Sequence, residues 1–481
     1  MKLADLLREV NITGMYAAGD MEITDVCYDS RAAVKGSLFV AISGLGEARH
    51  AYIADAVKNG AACVLCSREP EIEVPFVLTD DTLSGHARAS ANFFGKPADK
   101  LKIIGVTGTN GKTTVTHLIK QMLEKLTGKP VGIIGTICNM AGNAVYEADN
   151  TTPESYELHR LFSKMADAGC EYAVMEVSSP SLAMKRVEVI SFEVSVFTNI
   201  TQDPLDFHGS MEEYARVKSQ LFAQSKQAAV NLDDDILAEL MKTATCPVLT
   251  FSAKSDEADL VARQIRLHAE KVDFCALMIG RLERTELAIP GLISVYNALA
   301  TLAALQMLGF ELSETTKLLP VCDGVKGRAE VVPTGRDFTV VIDYAHTPAA
   351  LENIIGTLRD SSKGRVVTLF GCGGDRDKTK RSKMGEAAAR LSDFVIVTSD
   401  NPRTEAPGDI IKDILGGMTD TKTPYTVIEN RREAIRWAIE NAKADDTILL
   451  AGKGHETYQT IGRENFPFDE REIVSEALSV S

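Results

Sequence analysis

The chain has 481 residues, 45% hydrophobic and 25% charged with few aromatics, an ordinary balance for a soluble globular protein. Its 67 acidic residues outnumber 52 basic ones, giving a net charge of −15, which argues against a general polyanion binder such as a nucleic-acid protein. The length suggests about three domains, and no uninterrupted apolar run is long enough to span a bilayer.

Met1 to Val10 carries charges inside its apolar pattern and reads as an amphipathic helix rather than a signal sequence, so a cytoplasmic protein without membrane insertion is expected. Residues 1–98 alternate short apolar segments (37–42 and 61–65) with helical patterns and end in the turn-rich Phe94-Gly-Lys-Pro97. Cys63 and Cys66 form the only Cys-x-x-Cys pair among nine cysteines. Three apart on a strand they face opposite sides, and no second pair completes a zinc site. Core packing in a reducing compartment is the expectation. From Asp99 onward, strand-like runs at 131–134, 173–177, 194–197 and 228–231 alternate with helical patterns, which implies a parallel sheet covered on both faces. Further strand-like residues at 274–279 and a long helix over 295–308 follow. A last block begins near Gly327, with strands at 338–342, 366–370, 394–398 and 447–450.

The most informative stretch is Lys102-Ile-Ile-Gly-Val-Thr-Gly-Thr-Asn-Gly-Lys112-Thr-Thr114. An apolar strand runs into a loop with Gly108 and Gly111, and Lys112, Thr113 and Thr114 open a helix. Glycines let backbone amides close on phosphate oxygens at a helix N-terminus. The lysine supplies charge for the β/γ-phosphates, and a threonine hydroxyl can ligate Mg²⁺. The strict P-loop pattern wants Gly where Val106 stands, so the loop is a nucleotide loop of a particular kind. In the same block Glu176 ends a strand and His208 lies near a turn; with Thr113 they could form a Mg²⁺ site between ATP and substrate. Lys218 lies beside a helical core stripe of Tyr214, Val217, Leu221 and Phe222, and by pattern alone is a snorkelling surface lysine.

Three strands of the last block end in polar loops: Gly-Cys-Gly-Gly-Asp375-Arg376, Ser-Asp400-Asn401-Pro402-Arg403 and Gly452-Lys453-Gly-His455-Glu456. Ligands of open α/β sheets bind at the carboxyl ends of strands, so the loops are expected to converge. Arg376 and Arg403 suit carboxylates, and Asp400 and Glu456 suit ammonium groups. A zwitterionic amino acid with an extra carboxylate and an extra amine would satisfy such a site.

The run Gly105-Val-Thr-Gly-Thr-Asn-Gly-Lys-Thr-Thr114 resembles the ATP loop of the Mur ligases and folylpolyglutamate synthases. These three-domain enzymes join a carboxylate to an amine through an acyl phosphate. Further resemblance lies in Tyr28-Asp29-Ser30-Arg31, Asn150-Thr151-Thr152-Pro153, Met175-Glu-Val-Ser-Ser179, Phe197-Thr-Asn199, Tyr296-Asn297-Ala, Asp343-Tyr-Ala-His346 and Gly452-Lys-Gly-His-Glu456. Asp400-Asn-Pro-Arg403 resembles the signature of members that add meso-diaminopimelate. The resemblance implies an α/β protein of three domains. These are a UDP-sugar-binding domain (1–98), a central ATP-binding P-loop-type domain (99–326) and a Rossmann-like amino-acid-binding domain (327–481). It also implies a monomer acting on ATP, meso-diaminopimelate and UDP-N-acetylmuramoyl-L-Ala-D-Glu, with Mg²⁺ as cofactor.

By the same resemblance Lys112, Glu176, His208 and Lys218 are catalytic, with Thr113, Glu176, His208 and a carbamoylated Lys218 holding the metal. Gly108, Thr109, Asn110, Gly111, Lys112, Thr113, Thr114, Asn297, Arg328 and Asp343 would bind ATP. Arg376, Asp400, Asn401, Pro402, Arg403, Gly452 and Glu456 would bind diaminopimelate, and Ser30, Asn150, Thr151, Thr152, Ser178 and Arg186 the UDP-sugar dipeptide. The chain departs from the family at Pro180 (usually His), Met184 (usually Gln), Pro204 (usually His), Ala48-Arg49 (usually Asp-Gly) and Lys326-Gly327 (usually Pro-Gly). Most of these fall on the acceptor side. A related ligase with another acceptor and a nucleotide-binding homologue without catalysis are the alternative readings.

Overall fold

The computed structural model describes residues 1–43, 49–200 and 210–480. The chain divides into two compact units, Met1–Asp259 with Ala300–Glu311, and Leu260–Leu299 with Leu312–Ser481. No described helix is long and apolar enough to cross a membrane.

The first unit opens with a five-stranded sheet in the order Ile12–Tyr16, Phe76–Thr79, Cys63–Cys66, Ser37–Val40, Asp25–Cys27. All its pairings are parallel except that of the Ile12–Tyr16 edge. Cys63 packs on one face with Leu3, Leu6 and Ala89, and Cys66 on the other with Ile53 and Ala56, so the pair is core packing on opposite sides. The amphipathic helix expected over Met1 to Val10 shrinks to Leu3–Leu6. Its leucines are buried as the pattern requires, but Asn92 Nδ2 takes the carbonyls of Leu6 and Arg8 at 3.0 and 2.8 Å. Glu9, three residues beyond the helix end, adopts φ 67°, so the chain does not continue as a helix towards Val10.

The second sheet of this unit runs Val248–Ser252, Ala228–Asn231, Phe192–Phe197, Lys102–Thr107, Tyr172–Glu176, Val131–Ile134, all parallel. Asn139–Ala141 and Ala144–Tyr146 extend it antiparallel. Lys102–Thr107 and Tyr172–Glu176 are neighbours buried along nearly their whole length, and their carboxyl ends carry the nucleotide loop and Glu176. Runs of Val and Ile with few polar positions are what strands covered on both faces require.

The second unit contains an antiparallel meander, Leu260–Leu267, Val272–Met278 and Arg281–Leu287. It also contains a six-stranded sheet, in the order Glu330–Val332, Thr339–Asp343, Thr447–Ala451, Val366–Phe370, Phe394–Val397, Tyr425–Val427. Only Glu330–Val332 runs antiparallel. Ile435, Ala438 and Ile439 of helix Arg431–Glu440 and Val474 of the C-terminal helix pack on one face with Ile342, Ile396 and Leu450. The strands expected at 366–370, 394–398 and 447–450 are therefore adjacent, which places their three following loops side by side.

Candidate active site

The nucleotide loop is held through its own backbone groups, which bond to Thr198 and Asn199 at the end of a neighbouring strand. Gly108 has φ 143°, and a Cβ there would lie 1.9 Å from Thr198 Oγ1, so only glycine fits. Asn199 brackets the next two residues: its carbonyl accepts from Thr109 N at 2.8 Å and its Oδ1 from Asn110 N at 2.9 Å. Thr198 Oγ1 and Asn199 Nδ2 both donate to Asn110 O, at 2.6 and 3.1 Å. Helix Lys112–Thr127 follows immediately, and Lys112 Nζ donates to the carbonyls of Gly108 and Thr109 at 2.8 and 3.0 Å. That places a cation and a helix N-terminus on the same loop, the arrangement that holds a polyphosphate.

Glu176, buried at the end of its strand, ties this loop to the residues expected to face the acceptor. Its Oε2 accepts from Thr113 Oγ1 and from Thr136 Oγ1, both at 3.1 Å, and its Oε1 from Thr136 N at 2.9 Å. Thr136 Oγ1 is also 3.1 Å from Thr151 Oγ1. Thr152 Oγ1 donates to the Glu176 carbonyl at 2.8 Å and accepts from Ser178 N at 3.0 Å. Arg186 donates to Thr152 O at 2.9 Å and pairs with Glu154 at 2.6 Å. Thr151, Thr152, Ser178 and Arg186 thus form one group. Asn150 is exposed on the bend before it, and Ser30 lies on the separate turn Ser30–Ala32, where Asn59 Nδ2 donates to its carbonyl at 2.9 Å. Pro180 occupies the first turn of helix Ser179–Ala183, where a missing N–H costs nothing.

Lys218 corrects the pattern-based reading. It does not snorkel: on helix Met211–Ala223 it is 1% exposed, its Nζ donates to Thr107 Oγ1 at 3.1 Å, and it lies 4.8 Å from the Tyr214 ring centroid. The lysine beside the apolar stripe follows that stripe into the interior, under the strand that feeds the nucleotide loop. His208, Pro204 and Ala48 lie outside the described residues. Among the described residues no group of three or more His, Cys, Asp or Glu side chains converges as a metal cluster. The oxygen groups here are instead the Thr113 and Thr136 hydroxyls and the Glu176 carboxylate, hard ligands that suit Mg²⁺; carbamoylation of Lys218 would add a second carboxylate-like group.

Asn297, Arg328 and Asp343 belong to the second unit. Asn297 is buried on helix Leu292–Met307. Asp343 ends its strand and accepts from Ala329 N and Ala345 N at 2.7 and 2.8 Å. Burial pushes its carboxyl above the usual range, against the pull of Arg328 and these two amides. Arg328 stacks 5.1 Å from the Tyr344 ring.

The three strand-end loops close on one cavity of about 230 Å³. Arg376, Asp400, Asn401, Arg403, Gly452 and Glu456 line it, together with Tyr344, His346 and Lys380. Gly452 has φ 114°, and a Cβ there would come 2.5 Å from Asp400 Oδ2, so the glycine admits the carboxylate. Arg403 itself takes φ 51°, fixed on both sides by the hairpin Tyr458–Ile461/Glu464–Pro467: Arg403 N donates to Thr460 O at 3.1 Å and Gly462 N to Arg403 O at 2.7 Å. Its guanidinium donates to Gly374 O at 2.8 Å. Pro402 is buried and does not line the cavity; its carbonyl accepts from Glu405 N. Glu405, held down at about 2 by the buried Arg381 guanidinium, accepts from Asp375 N at 2.7 Å and braces the first loop.

Sequence reasoning passed over four residues that build these sites: Thr136, Thr198, Asn199 and Lys453. The first three lie within two residues of a strand's carboxyl end, a position that could have flagged them. Thr198, Asn199 and Lys453 lay inside quoted motifs without a role.

Two family models match the chain: the Mur ligase middle domain over residues 106–305, and the Mur ligase, glutamate ligase domain over residues 327–454. The chain belongs to the Mur ligase family. It is 48% identical over 486 residues, covering 100% of both chains, to the UDP-N-acetylmuramoyl-L-alanyl-D-glutamate–2,6-diaminopimelate ligase of Caldanaerobacter subterraneus subsp. tengcongensis. It is 44% identical over 484 residues, 99% of each, to enzyme 1 of that name from Clostridium acetobutylicum. A solved structure of a ligase of the same name superposes with a TM-score of 0.74 at 30% identity, covering 100% of this chain and 99% of that one. The architecture is the three-domain α/β fold of the family.

Proposed function

We propose that the protein is an ATP-dependent amide ligase that joins meso-2,6-diaminopimelate to the D-Glu γ-carboxylate of UDP-N-acetylmuramoyl-L-Ala-D-Glu, a step of peptidoglycan precursor synthesis. The observation that carries this reading is the convergence of Arg376, of Asp400 with Arg403, and of Glu456, from three separate loops, on one cavity with carboxylate-binding and ammonium-binding groups. Full-length identity to relatives carrying that name supports it.

ATP phosphorylates the D-Glu γ-carboxylate, and the amine of diaminopimelate attacks the resulting acyl phosphate; phosphate leaves from the tetrahedral intermediate. Lys112 and the loop amides hold the phosphates and stabilise charge as the phosphoryl group moves, where positioning and electrostatics supply most of the catalysis. Mg²⁺, held by Thr113, Glu176, His208 and carbamoylated Lys218, would supply further neutralisation of phosphate charge when bound. Thr151, Thr152, Ser178 and Arg186, with Ser30 and Asn150, would bind the acceptor, and Asn297, Arg328 and Asp343 the nucleotide, as the family resemblance implies. The distal carboxylate of diaminopimelate meets Arg403 and Arg376, and its ammonium groups meet Asp400 and Glu456. The same resemblance supports domains over 1–98, 99–326 and 327–481 and a cytoplasmic monomer.

A phosphate-release assay with MgATP, the UDP-sugar dipeptide and a panel of diamino acids tests the proposal. Release with meso-diaminopimelate well above that with lysine is expected. No release with any amine overturns it in favour of a non-catalytic homologue, and release only with another acceptor overturns the acceptor assignment.

A further inference from the structure

A buried cation lies behind the amino-acid cavity. Lys453, in the turn after strand Thr447–Ala451, is fully buried. Its Nζ donates to Asn401 Oδ1 and Glu456 Oε2, both at 3.0 Å, and lies 5.7 Å from the ring centroids of Tyr458 and Phe468. A lysine removed from water is costly unless paired and hydrogen-bonded, so these contacts must hold together as a set.

The contacts leave the two cavity residues little freedom. Asn401 Oδ1 accepts a second bond from Thr460 N at 2.9 Å, and Asn401 Nδ2 donates to Glu456 Oε2 at 2.9 Å. The amide can therefore take only one of its two flips. Glu456 Oε2 receives both Lys453 and Asn401, and Oε1 has no protein partner among the described residues. In the same cavity, Asp400 Oδ1 accepts, among the described residues, only the neighbouring Asn401 N, at 2.6 Å. Two carboxylates with spare acceptor capacity thus line one cavity, one of them anchored from behind.

We propose that Lys453 is a positioning residue for the incoming amine: it anchors Glu456 through Oε2 and fixes the Asn401 flip, so that Glu456 Oε1 is presented beside Asp400 as an ammonium acceptor. The proposal rests on the cavity being the amino-acid site. Lys453 never touches the substrate. It acts by sparing Glu456 the rotamers that would turn its carboxylate away, and by offsetting the mutual repulsion of the two acids.

The test is steady-state kinetics on the full-length protein carrying Lys453→Met, Lys453→Arg, Glu456→Gln, or Lys453→Met with Glu456→Gln. Lys453→Met keeps the stem volume and loses both hydrogen bonds. It should raise the KM for diaminopimelate about tenfold or more, with the KM values for ATP and the UDP-sugar dipeptide within about twofold of wild type. Lys453→Arg should recover part of the loss. In the Glu456→Gln background, adding Lys453→Met should cost less than about twofold, because the carboxylate it anchors is gone. An unchanged KM for diaminopimelate, a parallel rise in all three KM values, or full additivity of the two substitutions overturns the role. If Lys453→Met does not fold, the double variant, whose buried pair is neutral, is compared with Glu456→Gln alone: equal KM values support the role and a further tenfold rise overturns it. Wild-type protein that releases no phosphate with diaminopimelate would instead sink the amino-acid reading of the cavity, so the two failures are separable.

Discussion

The nucleotide loop and the amino-acid cavity both stand at the carboxyl ends of parallel strands, but they are built in opposite ways. The loop comes from one unbroken stretch, Thr107 to Thr114, and is held by backbone groups bonded to Thr198 and Asn199. The cavity comes from three loops with some eighty residues between the first and the last, and side-chain charges hold it: Arg381 on Glu405, Lys453 on Glu456, Arg403 on Gly374 O. Backbone cradles suit a ligand part that never varies, the triphosphate. Side-chain cavities can be retuned one residue at a time to select among amines.

The largest expected effect comes from breaking the loop. Lys112→Ala should lower phosphate release by at least about a hundredfold at saturating substrates, since it removes the charge set against the transferring group, with an unchanged circular dichroism spectrum. A loss below tenfold would mean that the loop binds nucleotide without serving the transfer. Next comes Arg403→Ala, which should narrow the preference for diaminopimelate over lysine by about 1–3 kcal/mol, because lysine no longer leaves a guanidinium without its carboxylate. Unchanged selectivity, from kcat/KM with each amine, would remove Arg403 from that role. Gly452→Ala is smaller: a strained φ and a Cβ against Asp400 should cost about 1–2 kcal/mol, read as a raised KM for the amine with the KM for ATP unmoved. Equal change in both would show that the glycine serves the fold rather than the cavity.

A last expectation concerns stability rather than chemistry, at two histidines of the first unit, His86 on helix Thr82–Phe93 and His159 on helix Ser155–Asp167. His86 and His159 are buried, and burial lowers them to about 3 and about 4. Their unfolded-state value is about 6.5, so the unfolded chain binds protons that the native state refuses. The stability they allow is fully present above pH 6.5 and is lost as pH falls towards about 4. Urea midpoints should therefore drop between pH 7.5 and 5, and His159→Phe should flatten that drop. A variant with the same pH slope would assign the loss to other groups.

Much of this was legible in the chain before folding. The strands at 131–134, 228–231 and 366–370 coincide with the observed ones, because continuous apolar runs bounded by turn residues leave a buried strand few alternatives. The contiguous nucleotide loop was legible for the same local reason, and adjacency of the three C-terminal loops followed from the rule that ligands gather at strand ends. The N-terminal helix was overcalled, since Asn92, more than eighty residues away, takes the carbonyls that would have extended it. Lys218 read as a surface residue because a lysine beside an apolar stripe usually reaches water, and only Thr107 on a distant strand shows that this one does not.

By itself the sequence determined the local chemistry: which strands are buried, where glycine must turn the chain, and which loops carry charge. Those properties depend on neighbours a few residues away and on hydrophobic periodicity. The tertiary structure alone decided which charges meet, that Glu176 joins Thr113 to Thr136, that Lys453 lies behind Glu456 and Asn401, and that Lys218 is interior. Burial and pairing depend on residues distant in the chain, and the energy of a charge is set by the surroundings that only the folded protein assembles.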